Sequence, residues 1–147
     1  MCKQTAGLLA LLGRVAICAI FFLSAVANKI PNFQKVSDHM ADKGIPAAGF
    51  ALVLAIALLL LGSISVVIGF KARWGALLLF VFLVLATFYF HDFWNMDGES
   101  LRVQQIMFMK NVSLAGTMLL IMAMGSGPWS MDECCGRKTA CAAKGAE

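Results

Sequence analysis

Three ionisable side chains of this sequence fall inside, or at the rims of, long apolar blocks, where each needs a chemical reason to be. Arg14 stands about a turn and a half into the first block, Leu8 to Ala27, and shares a helical face with Cys18, Phe21, Ala25 and, slightly rotated, Asn28. A guanidinium at that depth needs a partner or water. Facing the bundle interior, it would hold an anionic group or a polar ligand such as a quinone carbonyl. The competing reading, of equal weight, is snorkelling to the near interface, roughly 7 to 10 Å away at about 1.5 Å per residue. His91 follows Thr87 by one turn at the end of the third block, and an imidazole at a membrane boundary can relay protons or hydrogen-bond a quinone. More often such a histidine is only an interfacial hydrogen-bonder. No second in-membrane histidine exists to pair with it, since His39 lies in the first polar segment, which disfavours a haem held by two imidazoles. Lys110, Ser113 and Thr117 share a face of the fourth block, bordered by Asn111. They form either a ligand site or helix-to-helix fastening worth about 1 kcal/mol or less per bond. A sharper version places His91 and Lys110 near one another at one mouth of the bundle.

Other chemistry is thinly supported. Cys134, Cys135 and Cys141, with Cys2 and Cys18, have neither paired CxxC zinc spacing nor an iron-sulfur run, and no metal site is expected. Thiols beside a membrane can serve redox sensing, weak metal capture or lipid attachment, but the plainer reading is a soluble, unstructured tail of small residues. Met107, Met109, Met118, Met122 and Met124 invite copper(I) chemistry, yet as flexible apolar side chains they pack a helix equally well. There is no phosphate loop, dinucleotide fingerprint, Ser/His/Asp set or HExxH, so nothing supports a self-contained hydrolase or nucleotide enzyme.

The elements that must position these residues are membrane helices. The chain has 147 residues, 61% hydrophobic and 14% charged, with the apolar residues grouped into blocks near the roughly 18 to 20 residues that cross the hydrocarbon as a helix. The net charge of +4 does not imply nucleic acid, because the twelve lysines and arginines fall mostly at block ends, with no basic and aromatic interleaving. The first block is too long for the core of a secretory signal and is read as a retained helix. The pattern predicts an all-α, four-helix transmembrane bundle with helices at about 8–28, 49–70, 74–93 and 106–124, and a hydrophilic tail over 133–147. A short amphipathic helix carrying Phe33, Val36 and Met40 is expected between the first two spans, ended by Gly44-Ile45-Pro46.

Small residues at Ala51, Ala55, Gly62, Ser65 and Gly69, interrupted by Leu58, advance by threes and fours and predict a stripe for close helix packing. The tight basic Lys71-Ala72-Arg73 connection predicts an antiparallel hairpin of the second and third spans, with Trp74 at headgroup level. With the N-terminus cytoplasmic, that side receives Lys3, Arg14, Lys71, Arg73, Arg137, Lys138 and Lys144, and the other receives Lys29, Lys35, Lys43, Arg102 and Lys110. Seven against five favours both termini in the cytoplasm.

Over nearly its whole length before the tail, the chain resembles the DoxX family of small bacterial and archaeal membrane proteins. Gly13-Arg14, Lys29, Gly44-Ile45-Pro46, Gly62, Gly69 and Arg73 carry the resemblance in the first half. His91-Asp92-Phe93-Trp94, Lys110-Asn111, Gly116 and the 127–132 segment carry it in the second. One departure is clear: Leu58, Leu59 and Leu60 stand where the family pattern has a glutamate before the glycine of the second helix. The resemblance implies a four-helix cell-membrane protein and, through the family's namesake similarity to a subunit of a terminal quinol oxidase and thiosulfate:quinone oxidoreductase, a link with membrane redox or sulfur metabolism. No cofactor is evident in the sequence beyond that implied quinone. The expected surroundings are the lipid bilayer, a soluble redox or sulfur-handling partner, and room for a homo-oligomer. The alternative is a non-enzymatic membrane scaffold or small-molecule carrier whose polar residues only fasten helices.

Overall fold

A chain in hydrocarbon must satisfy its backbone N–H and C=O groups internally, so apolar blocks of this length become helices. The computed structural model describes residues 3–90 and 98–134, without the side chains of Lys3 and Glu99. It is an all-α membrane protein with four helices long and apolar enough to span a bilayer. In order these elements are α1 (Lys3–Leu23), a π-helical continuation (Ser24–Lys29), α2 (Phe33–Asp42), α3 (Ala48–Ile68), α4 (Ala72–Phe90) and α5 (Glu99–Met124).

Two helices begin well before their apolar blocks do. α1 starts at Lys3 rather than near Leu8, and α5 at Glu99 rather than near Ile106. The leading residues, Gln4-Thr5-Ala6-Gly7 and Ser100-Leu101-Arg102-Val103-Gln104-Gln105, contain no proline and a single glycine, which a helix tolerates at a cost of about 1 kcal/mol, so the helix runs out past the hydrocarbon. Hydropathy marks the bilayer, not the helix end. α2 is amphipathic as expected and buries Met40.

α3 and α4 form the tight hairpin. Gly69 closes α3 with φ +71°, and both its N–H and that of Phe70 donate to the Ser65 carbonyl, at 2.9 and 3.1 Å. Gly62 and Gly75 bring the two backbones together: a Cβ on Gly62 would lie 2.7 Å from Leu79 Cγ and 3.0 Å from the Gly75 carbonyl. The principal helix contacts among the described residues run α1 to α3, α3 to α4 and α4 to α5, with α1 and α5 not among them. A single core nevertheless joins all four spans, through Cys18, Phe21 and Ala25, Leu59 and Val66, Ala76, Leu79 and Leu83, and Met118.

Beyond α5 the chain turns back across the end of the bundle. The Asp132 carboxylate accepts hydrogen bonds from the Lys71 and Ala72 N–H groups, at 2.8 and 3.1 Å, and so caps α4 from a distant part of the chain. The Asp132 N–H donates to the Gly69 carbonyl at 2.9 Å. Glu133 and Cys134, expected to open a free tail, belong to a helical turn over 131–134, and Trp129 N–H donates to Glu133 Oε2 at 3.1 Å. Cys135 and Cys141 lie outside the described residues.

Candidate functional site

The structure separates the sequence candidates into two ends of the bundle. At one end Arg14 is 4% exposed and extends toward the near end of its span. Its Nη2 donates to the carbonyls of Trp129 and Pro128, at 2.8 and 3.4 Å, and its Nε to Ala10 at 3.3 Å. The face it shares with Cys18, Phe21 and Ala25 points into the core, as the spacing requires. Arg14 therefore holds the returning chain, with Nη1 buried and unbonded against Gly69. Gly69 and Gly62 stand at close approaches, and Ser65 Oγ donates to the Phe70 carbonyl at 2.7 Å.

At the other end the small-residue stripe turns into a wall. Ala51 and Ala55 line a cavity of about 520 Å³ between the helices, within the roughly 300 to 1,000 Å³ typical of small-molecule sites. All four spans and α2 contribute: Phe21, Ser24, Asn28 and Lys29 from α1 and its continuation, His39 and Met40 from α2, Leu58 from α3, Phe82 and Tyr89 from α4, and Lys110, Asn111 and Leu114 from α5. The lining is mostly apolar, with a minority of polar side chains. Leu58, among the three leucines where a glutamate was expected, is part of the apolar wall.

Lys110 is exposed and donates to Met107 Sδ at 3.2 Å, at the rim. Asn111, 8% exposed, reaches across to α4, its Nδ2 donating to Thr87 Oγ1 at 3.0 Å. The expected polar stripe thus divides: Ser113 and Thr117 turn their hydroxyls back onto their own helix, to the Met109 and Ser113 carbonyls at 2.9 and 3.0 Å. Only the bordering residue, Asn111, is seen to fasten helices. His91, and with it the proposed neighbourhood of His91 and Lys110, lies outside the described residues. His39 stacks on Phe90, ring centroids 5.6 Å apart.

Lys29 entered the sequence reading only through the family resemblance and the charge count, and its place in the cavity wall was missed. An unbroken α-helix gives no warning of it, but at Ser24–Lys29 the helix widens to i to i+5 bonding, with the Ile30 N–H donating to Ala25 at 3.0 Å. That register sets Lys29 above Ser24: Nζ donates to Ser24 Oγ at 2.7 Å and lies 5.4 Å from the centre of the Phe82 ring. The available signal was the Ser24 to Lys29 spacing, which fits a π turn and not an α turn. Among the described residues, no group of three or more His, Cys, Asp or Glu is arranged to hold a metal.

Comparison with known proteins bears on this arrangement. The DoxX family model matches residues 9–92, from the early turns of α1 through the end of α4. Inner membrane protein YphA of Escherichia coli (strain K12) is 34% identical over 125 residues, covering 84% of this chain and 88% of that protein. Inner membrane protein YqjF of the same strain is 34% identical over 119 residues, covering 81% and 86%. A Surfeit locus protein 4 homolog of Schizosaccharomyces pombe is 32% identical over 143 residues, covering 82% of this chain but 47% of the longer protein. No solved structure matches.

Proposed function

Since this chain belongs to the DoxX family of integral membrane proteins, we propose that it binds a membrane-soluble small molecule in the cavity between its helices. The observation that carries this reading is the cavity itself: mostly apolar walls drawn from four spans and α2, with Lys29, Lys110, Asn111 and Tyr89 among the few polar members of the lining. Apolar surface with a few placed polar groups is how ligand sites are built. A molecule with an apolar body and a polar head matches that lining. A quinone is such a molecule, and binding one would make the protein a membrane component of a redox or sulfur-handling complex. The helices support a route of entry as well, because α1 and α5 both line the cavity without being a principal packing pair.

The test is binding of a short-tailed ubiquinone or menaquinone analogue to the purified chain, compared with Ala55→Trp, whose indole would fill the cavity. Binding by the wild type and its loss in Ala55→Trp, with helicity unchanged, is the expected result. Equal uptake by both would place the quinone in the detergent and sink the reading.

A second reading, the non-enzymatic carrier, is favoured by the use made of Arg14: its hydrogen bonds go to the chain's own carbonyls, at the end away from the cavity. Binding without electron transfer in the presence of a soluble reductant would select it. For orientation, we propose that the end carrying Lys71 and Arg73 is cytoplasmic, following the excess of basic residues there. Fluorescence from a C-terminal green fluorescent protein fusion, with no activity from an alkaline phosphatase fusion, is expected; the opposite pair of results reverses the topology.

A further inference from the structure

Lys29 is a half-buried ammonium group in a mostly apolar cavity, and among the described residues its compensation is incomplete. A charge there is costly unless paired or hydrogen-bonded. Of its three N–H donors one goes to Ser24 Oγ, and the Phe82 ring supplies a weak cation–π contact. Lys110 lines the same cavity at its rim, where among the described residues it donates only to a thioether, a weak acceptor. The described lining contains these two lysines and no aspartate or glutamate. Among the described residues, a neutral head would leave the two ammonium groups that line this cavity without a counter-charge. An anionic head would satisfy both and turn their mutual repulsion into attraction.

Resting on the cavity reading of the preceding section, we infer that the ligand's head is anionic, and specifically that the cavity takes a single-chain long-chain carboxylate, its chain along Leu52, Leu58, Phe82 and Leu83 and its carboxylate on Lys29 with Lys110 completing the clamp. The volume of about 520 Å³ suits one chain and a small head; a two-chain phospholipid is larger than that. Lys29 is the selecting residue, because it is the more buried of the two and is held in place by Ser24.

The experiment uses the full-length protein in mild detergent and a fluorescent fatty acid as the bound probe, displaced by palmitate or by hexadecanol, which has the same chain and a neutral head. Palmitate should displace the probe at roughly tenfold lower concentration than hexadecanol, the difference expected of a hydrogen bond to a charged group. In Lys29→Met that preference should fall to about one, and in Lys29→Arg it should persist. Equal displacement by the two in the wild type overturns the anionic-head inference and leaves the cavity reading standing, as does an undiminished preference in Lys29→Met. If the probe binds Ala55→Trp as well as the wild type, the cavity is not the site, and both readings fall.

Discussion

Arg14 shows how a charged residue in a membrane span can be structural and still look like a site. Its position on the face of Cys18, Phe21 and Ala25 was legible from spacing alone, and all three are buried. Its partners were not, because the Pro128 and Trp129 carbonyls come from a segment 114 and 115 positions away. Arg14→Met should therefore destabilise the fold by about 1 to 3 kcal/mol, the usual cost of leaving a hydrogen-bonding group unsatisfied, while ligand uptake at the far end stays intact. Thermal unfolding in detergent, read beside ligand binding, checks both halves. Gly69→Ala should act in the same region: a Cβ at φ +71° is strained and would also meet Arg14 and Ser130, for a loss of about 1 to 3 kcal/mol. Asn111→Leu removes a single interhelical bond to Thr87, so a stability loss near 0.6 kcal/mol is expected, since such bonds average about that in membranes. A much larger loss would mean that Asn111 holds more than Thr87.

At the scale of elements, the number and order of spans were legible because hydrocarbon admits few alternatives to a helix. The boundaries were not, since α1 and α5 extend beyond the apolar residues that reveal them. The π-helical continuation was also hidden: composition is blind to one extra residue in a turn, yet that turn carries Lys29 into the cavity. Deleting Ala27 removes the extra residue of the wide turn: in the resulting α-helix Lys29 follows Ser24 by four residues, about 400° at about 100° each, and stays on the same face. Circular dichroism should stay helical and the palmitate preference over hexadecanol should persist. Loss of the preference would show that the width of the turn itself, and not only the direction of Lys29, places the ammonium. The returning segment is testable in the same spirit. Asp132→Asn keeps the shape and removes the charge that caps α4 through the Lys71 and Ala72 N–H groups. A loss of about 1 kcal/mol is expected, with faster hydrogen exchange at residues 71–73.

The whole molecule is a bundle with unlike ends. One is tied together by Arg14, Gly69 and Asp132 acting on the chain beyond α5, with a surface cleft bordered by Lys71, Arg73 and Asp132 beside them; the other opens into a cavity walled by every span. Composition could show that four helices cross a membrane, but not that Ala51 and Ala55, at spacing suited to helix packing, would instead face a space, because a stripe of small side chains serves both purposes. The division of Arg14 and Lys110 between the two ends was legible, because alternating spans already put these two cations on opposite sides of the membrane. The central claim is that this cavity holds a small amphiphilic molecule. The most direct test is to purify the wild type and Ala55→Trp side by side from membranes in mild detergent and identify the bound small molecules by mass spectrometry. The account predicts one species near equimolar ratio with the wild type and missing from Ala55→Trp. Identical lipid content in the two proteins, with no such species, would contradict it.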